Sequence, residues 1–187
     1  MVAAKVSAFS IMDILSSTNY FEMFGLTPRF GIDINSLELS FRRLQTQLHP
    51  DRHVSNGEAE QRLALQFSTA LNDGYRTLRH PVSRAQSLLN LAGKPLANVA
   101  VSPAFLMAQM EWHEAIEEAC TSRDAAALNA LSRRLKYKVS LHEQNLAVAL
   151  DEYHDFDAAA QQVNELRFYE KLRVEIDSAQ DKLDEGS

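Results

Sequence analysis

Ser36-Leu37-Glu38-Leu39-Ser40-Phe41-Arg42-Arg43-Leu44-Gln45-Thr46-Gln47-Leu48-His49-Pro50-Asp51 is an amphipathic helix running into a proline. Leu37, Phe41, Leu44 and Leu48 recur at 4-3-4 spacing, which lays them along one stripe of an α-helix. Residues 33–36 offer N-caps at its start. Pro50 ends it, because a residue before proline is pushed out of the α region. Helix resumes after Ser55-Asn56-Gly57, with a stripe at Ala59, Leu63, Phe67, Ala70, Leu71, Gly74 and Leu78. His49-Pro50-Asp51 is therefore carried on a short loop between two helices.

Working outward, Asn19 to Leu26 reads as a very short helix closed by Gly25, and Thr27-Pro28 and Gly31 mark a loop. Pro81 breaks the chain again, and residues 83–91 form a fourth, short helix. The expected unit is an antiparallel helix pair with small flanking helices over residues 19–92. Residues 93–101, with Gly93, Pro95 and no periodicity, form the expected linker. Ser102-Pro103 then starts a new helix, an N-cap followed by proline at the first helical position. Asp124 caps the next, with a stripe at Leu128, Leu131, Leu135, Val139, His142, Leu146, Ala149 and Leu150. Asp155 or Asp157 opens the last, with Val163, Leu166, Tyr169, Leu172, Ile176, Ala179 and Leu183. Three long helices joined by short turns imply an antiparallel three-helix bundle over residues 102–187. No strand pattern exceeds a few residues, so the fold class is all-α.

Composition narrows the function classes. The 187 residues hold 45% hydrophobic and 24% charged side chains, ordinary values for a water-exposed globular chain. No apolar run approaches the roughly 18 residues of a membrane span, so no membrane partner is expected. The net charge of −6 is uneven: residues 20–92 carry eight Lys/Arg against seven Asp/Glu, residues 93–187 ten against seventeen. Without a basic stripe, nucleic acid is not the expected partner. The single Cys120 excludes an internal disulfide framework and suits a reducing, cytoplasmic setting. Cys120 itself is expected to pack as a small buried residue. Residues 1–18, too polar for a signal core and too poor in arginine for a transit peptide, read either as a disordered leader or as the product of an upstream start codon with Met12 as a rival.

No catalytic or cofactor constellation emerges. His49 and His53 are four apart, but Pro50 breaks the helical geometry that would align them on a metal, and the other histidines are dispersed. There is no glycine-rich phosphate loop. No metal and no cofactor is expected. His49-Pro50-Asp51 can be read as a mere turn, with Pro fixing φ and Asp capping. It can also be read as an imidazole and a carboxylate held out on a stiff loop, where little ordering entropy opposes docking. Arg42 and Arg43, one turn earlier and off the apolar stripe, are either a solvated face or a steering charge for an acidic partner.

The helix after Pro103 has two apolar stripes. Phe105, Trp112, Ala115, Ile116 and Ala119 form one; Leu106, Met107 and Met110 form another, continued by Glu111, Glu114 and Glu118. A bundle helix needs only one stripe for its core. The second is either buried elsewhere or a surface for a client, for which pliable methionines are suited. Phe168 lies off the core stripe of the last helix and is expected to be exposed, either as an aromatic anchor for a partner or as ordinary surface.

Two resemblances give these patterns a purpose. Leu48-His49-Pro50-Asp51, followed by Leu71-Asn72-Asp73-Gly74-Tyr75-Arg76-Thr77-Leu78, Pro81 and Arg84, resembles the J-domain, the module by which J-proteins engage Hsp70 chaperones. Tyr20-Phe21-Glu22-Met23-Phe24-Gly25-Leu26, Thr77-Leu78-Arg79-His80-Pro81, Ala104-Phe105-Leu106-Met107 and Leu166-Arg167-Phe168 look like HscB, the J-protein of bacterial iron–sulfur cluster assembly. The resemblance implies a co-chaperone that is not an enzyme. Its J-domain would stimulate the ATPase of an HscA-like Hsp70 through His49, Pro50, Asp51, Arg42 and Arg43. Its bundle would bind an IscU-like scaffold through Leu106, Met107, Met110, Glu111, Glu114, Glu118 and Phe168. Gln45, Gln47 and Leu48 depart from the basic and tyrosine positions common in J-domains, which points to a dedicated Hsp70. His113 stands where the family has arginine, so that contact is not carried over. The competing readings are a J-protein for another client and a helical adaptor whose His-Pro-Asp is only a turn.

Overall fold

The computed structural model describes residues 19–47, 58–96 and 101–185. The expected leader 1–18, most of the loop with His49, Pro50 and Asp51, and part of the expected linker lie outside the described residues. Among the described residues all regular structure is helical. The helices are α1 (Tyr20–Met23), α2 (Ile34–Gln47), α3 (Glu58–Arg79), α4 (Pro81–Leu91), α5 (Pro103–Thr121), α6 (Ala125–Ala147) and α7 (Phe156–Glu185), with a π-helical turn at Val148–Tyr153. They form two compact units that divide between Leu91 and Ala92.

In the first unit the chain punctuation acts as its residue types dictate. Asn19 caps α1 through its side chain, which accepts from Phe21 N–H at 3.0 Å. Gly25 takes φ +68°, and Leu26 N–H returns to the Phe21 carbonyl at 2.8 Å, closing the helix with a left-handed residue. Asp33 caps α2, its carboxylate accepting from Asn35 N–H at 3.0 Å, Ser36 N–H at 3.3 Å and the Ser36 hydroxyl at 2.6 Å. Leu37 and Leu44 of α2 are buried with Phe67, Leu71 and Leu78 of α3, Phe21 and Phe24 of the α1 segment, and Leu89 of α4. Gly74 is buried because α1 lies against α3 there: a Cβ would stand 2.8 Å from the Tyr20 ring and 3.1 Å from the Phe24 ring. Arg84 is buried, donating from Nη1 to the Leu78 carbonyl at 2.8 Å, with its guanidinium 4.7 Å from the Phe30 ring centre.

In the second unit the direction of each helix can be read from side-chain pairs. Gln180 of α7 meets Asn129 near the start of α6, while His142 late in α6 meets Gln162 early in α7, so these two run antiparallel. Phe105 faces Phe168 and His113 faces Glu175, so α5 and α7 run in the same direction. The result is an up–down–up bundle. Its core joins Phe105, Trp112 and Ile116 to Leu128, Leu131 and Leu135 and to Tyr169, Leu172 and Ile176. Ser102 and Asp124 cap α5 and α6 as the sequence predicts. The π turn and its left-handed terminus at His154 (φ 54°) are not signalled by the residue pattern. They delay the start of the last helix to Phe156, with Asp155 as cap to Ala158 N–H at 3.0 Å.

Candidate interaction surfaces

On α2, Arg42 and Arg43 are both exposed on the side away from Leu37 and Leu44. Arg42 pairs with Glu38 one turn earlier, an i,i+4 arrangement at the surface worth only a few tenths of a kcal/mol. The pair orients the guanidinium more than it stabilises the helix. Phe41, next to them, is half-buried and stacks on Tyr75 of α3, ring centres 4.2 Å apart and planes 22° from parallel. His49, Pro50 and Asp51 lie outside the described residues.

On α5 the two stripes separate cleanly. Phe105, Trp112, Ile116 and Ala119 are buried, Trp112 to within 1% of its surface. Leu106, Met107 and Met110 are 50%, 65% and 63% exposed. Glu111, Glu114 and Glu118 are exposed on the same side. At 100° per residue these six positions cover roughly 140° of the helix surface, opposite the core. Three large apolar side chains and three carboxylates thus share one open face. The residues can offer adaptable van der Waals contact and a negative rim; they hold no nucleophile or acid–base pair.

Phe168 departs from the expectation. It is not fully exposed but half-buried, set edge-on to Phe105 (centres 5.4 Å apart, 85° between planes) and to the His113 ring at 5.8 Å. The reason is its neighbour: Tyr169 is buried in the core, and Phe168 follows it onto α5. The side chain reaches α5 at Phe105 and His113, on the flank of the helix that leads round to Leu106. It extends the α5 face onto α7 without standing alone. His113, in place of the family arginine, faces Glu175 at 3.4 Å.

Cys120 is also exposed, contrary to its expected burial. It sits a quarter-turn from the core stripe near the end of α5. It opens into a groove of about 820 Å³ with His113, Glu175 and Lys182. Among the described residues no three His, Cys, Asp or Glu side chains converge as a cation would need, and no helix is long and apolar enough to cross a membrane. In the core of the second unit, burial, reinforced by the nearby Glu165 carboxylate and opposed by Arg134, holds the Tyr169 phenol above the usual range.

Residues 101–177 match the model of the HSCB C-terminal oligomerisation domain. The chain is similar to a co-chaperone HscB homologue of Aromatoleum aromaticum, 43% identical over 92% of this chain and 99% of that one. The chain belongs to the HscB family of co-chaperones. HscB from Vibrio cholerae has the same fold, with a TM-score of 0.80 and 36% identity over 88% of this chain and 99% of that structure. Human HscB superposes with a TM-score of 0.81 at 26% identity, over 87% and 82% respectively. The HscB proteins are J-protein co-chaperones of iron–sulfur cluster assembly, and this chain is one of them.

The residue pattern alone did not single out Tyr75, Arg76 and Arg79, which the fold gathers beside Phe41. Arg79 follows Tyr75 by one helical turn, a spacing that could have drawn attention to a guanidinium stacked on a ring.

Proposed function

We propose that residues 19–92 act as a J-domain that stimulates the ATPase of a specialised, HscA-like Hsp70. Residues 102–187, beyond a linker at 93–101, deliver an IscU-like scaffold to it in the cytoplasm. His49, Pro50 and Asp51 contact the Hsp70, with Arg42 and Arg43 steering the encounter. Leu106, Met107, Met110, Glu111, Glu114, Glu118 and Phe168 bind the scaffold. The chain performs no chemistry of its own; ATP hydrolysis on the Hsp70 traps the scaffold and promotes cluster transfer.

The observation that carries this reading is the open face of α5. A helix whose buried stripe already completes the bundle core also exposes a leucine and two methionines beside three glutamates. An apolar centre with a polar rim is the composition of a binding surface, and sulfur side chains adapt to a partner at low cost.

Two variants test the two halves separately. His49→Gln should abolish stimulation of the Hsp70 ATPase while scaffold affinity, measured by titration calorimetry, stays at the wild-type value. Leu106→Ala with Phe168→Ala should do the reverse for the scaffold. Stimulation that survives His49→Gln overturns the J-domain role. Absence of any heat of binding between the wild-type chain and IscU overturns the client.

A further inference from the structure

The α2–α3 pair carries a groove on the side of Phe41. Its floor is the Phe41–Tyr75 stack, a flat apolar platform. Arg79 lies 5.7 Å from the Tyr75 ring centre and donates from Nη1 to the Tyr75 hydroxyl at 3.2 Å. Arg76 and His80 border the same space, whose volume is about 870 Å³. None of its lining residues is an aspartate or glutamate, so the groove is a local concentration of positive charge over aromatic rings. Arg42 and Arg43 are the next two residues of α2 after Phe41, so the expected Hsp70-steering cations and the groove share one stretch of that helix, at successive steps of about 100° round it.

We propose that this groove is a second contact for the Hsp70 partner, receiving an acidic segment that bears both a carboxylate and an apolar side chain. The inference rests on the J-domain reading and extends it from α2 onto α3. Its chemistry is complementary in both respects. The stacked rings take the apolar group, and a guanidinium fork takes a carboxylate through two parallel hydrogen bonds. Arg79 is already held by Tyr75, so less side-chain freedom is lost when a carboxylate arrives. Charges at such a rim govern encounter and affinity, while the trigger that sets the ATPase rate once bound remains at His49-Pro50-Asp51.

The experiment is steady-state ATPase of the HscA-like Hsp70, titrated with the full chain. Arg76→Glu with Arg79→Glu should raise the concentration needed for half-maximal stimulation by roughly tenfold. The plateau rate should remain that of wild type. Arg79→Lys, which keeps the charge but loses the fork and the ring contact, should give an intermediate rise of about threefold. Arg123→Glu with Lys182→Glu, an equal charge change on the other unit, should leave the titration where it was. The inference is overturned if the double variant melts at the wild-type temperature and its half-maximal concentration stays within about twofold of wild type. An equal rise in the control pair overturns it as well, because the effect is then one of net charge. Should Arg79→Glu lower the melting temperature, exposed Arg76→Glu is read alone, and a rise under about twofold decides against the groove. Loss of a nucleic-acid signal from the double variant, in anisotropy with a single-stranded oligonucleotide, with no change in the ATPase titration, would assign the groove to another partner. His49→Gln separates the two claims: if that variant still stimulates, the J-domain reading itself fails, whatever the groove does.

Discussion

The α2–α3 pair and the α5–α7 bundle are built on the same rule and finished differently. Each buries a leucine- and phenylalanine-rich stripe, and each leaves one helix with a second feature on its outer side. In the first unit that feature is cationic and aromatic: Arg42 and Arg43 beside the Phe41–Tyr75 stack, with Arg79 on the ring. In the second it is thioether and carboxylate: Met107 and Met110 with Glu111, Glu114 and Glu118. Core stripes of the two units are interchangeable in kind, whereas their outer faces are opposite in charge. The core therefore explains that each unit folds, and under the proposed function the opposite outer faces are what would let one chain hold two different partners.

The largest effect on this contrast should come from its buried side. Trp112→Ala removes a ring that is 1% exposed and that also carries the Arg134 guanidinium at 4.5 Å. A loss of about 3–5 kcal/mol is expected. Calorimetry should show the transition of the bundle falling while that of the first unit is unmoved; a shift of both would mean that the units melt together. Leu106→Ala with Met110→Ala tests the open side of the neighbouring stripe. Stability should stay within about 0.5 kcal/mol. Scaffold affinity should fall by about 2 kcal/mol, roughly thirtyfold. Equal losses in stability and affinity would place these residues in the core after all.

Gly74→Ala probes the tightest approach in the first unit. The helix gains about 1 kcal/mol in propensity, but the new Cβ would stand 2.8 Å from the Tyr20 ring. Displacing that ring costs about 1–3 kcal/mol, so a net loss of about 1 kcal/mol in urea unfolding is expected. A gain would show that α1 yields without cost.

The smallest effects are those of pH, and they pull the units apart. Hydrogen bonds from Ser36 and the Asn35 amide hold the Asp33 carboxyl below its ordinary 3.8. A lowered folded-state value contributes stability above the unfolded value and loses it as pH falls through the folded one. Asp33→Ala should therefore be less stable than wild type at neutral pH and match it in strong acid. Tyr169 has the opposite sign. Its phenol is raised above 10.0 by burial. Stability is then complete below 10 and lost as pH rises through the folded value. The bundle should melt earlier in alkali, and Tyr169→Phe should flatten that slope in a melting series from pH 8 to about 11.

Helix positions, caps and core stripes were legible because they follow from local rules. Pro103 after Ser102, Asp124 and Gly25 each act within a few residues, and the apolar periods of α6 and α7 name their buried faces directly. Phe168 and Cys120 were not legible in the same way. Period alone puts each at the edge of a stripe, and an edge residue is covered or open according to its neighbour across the helix interface. Phe168 meets Phe105; Cys120 meets only a groove. The π turn after Ala147 escaped for a related reason, since no residue type in Val148–Tyr153 demands an i→i+5 pattern.

Amino-acid order was sufficient for the all-α class, the capping of the helices and, through its family phrases, the membership in HscB. These depend on chain-local chemistry: proline and glycine geometry, caps, and the 3.6-residue period. Folding was needed to show which of the two α5 stripes stays open and to bring Phe41, Tyr75 and Arg79 together from two helices. Phe41 is more than thirty positions from Tyr75 and Arg79, and no local rule joins it to them. Only packing two helices side by side turns a phenylalanine, a tyrosine and an arginine into a single charged aromatic surface.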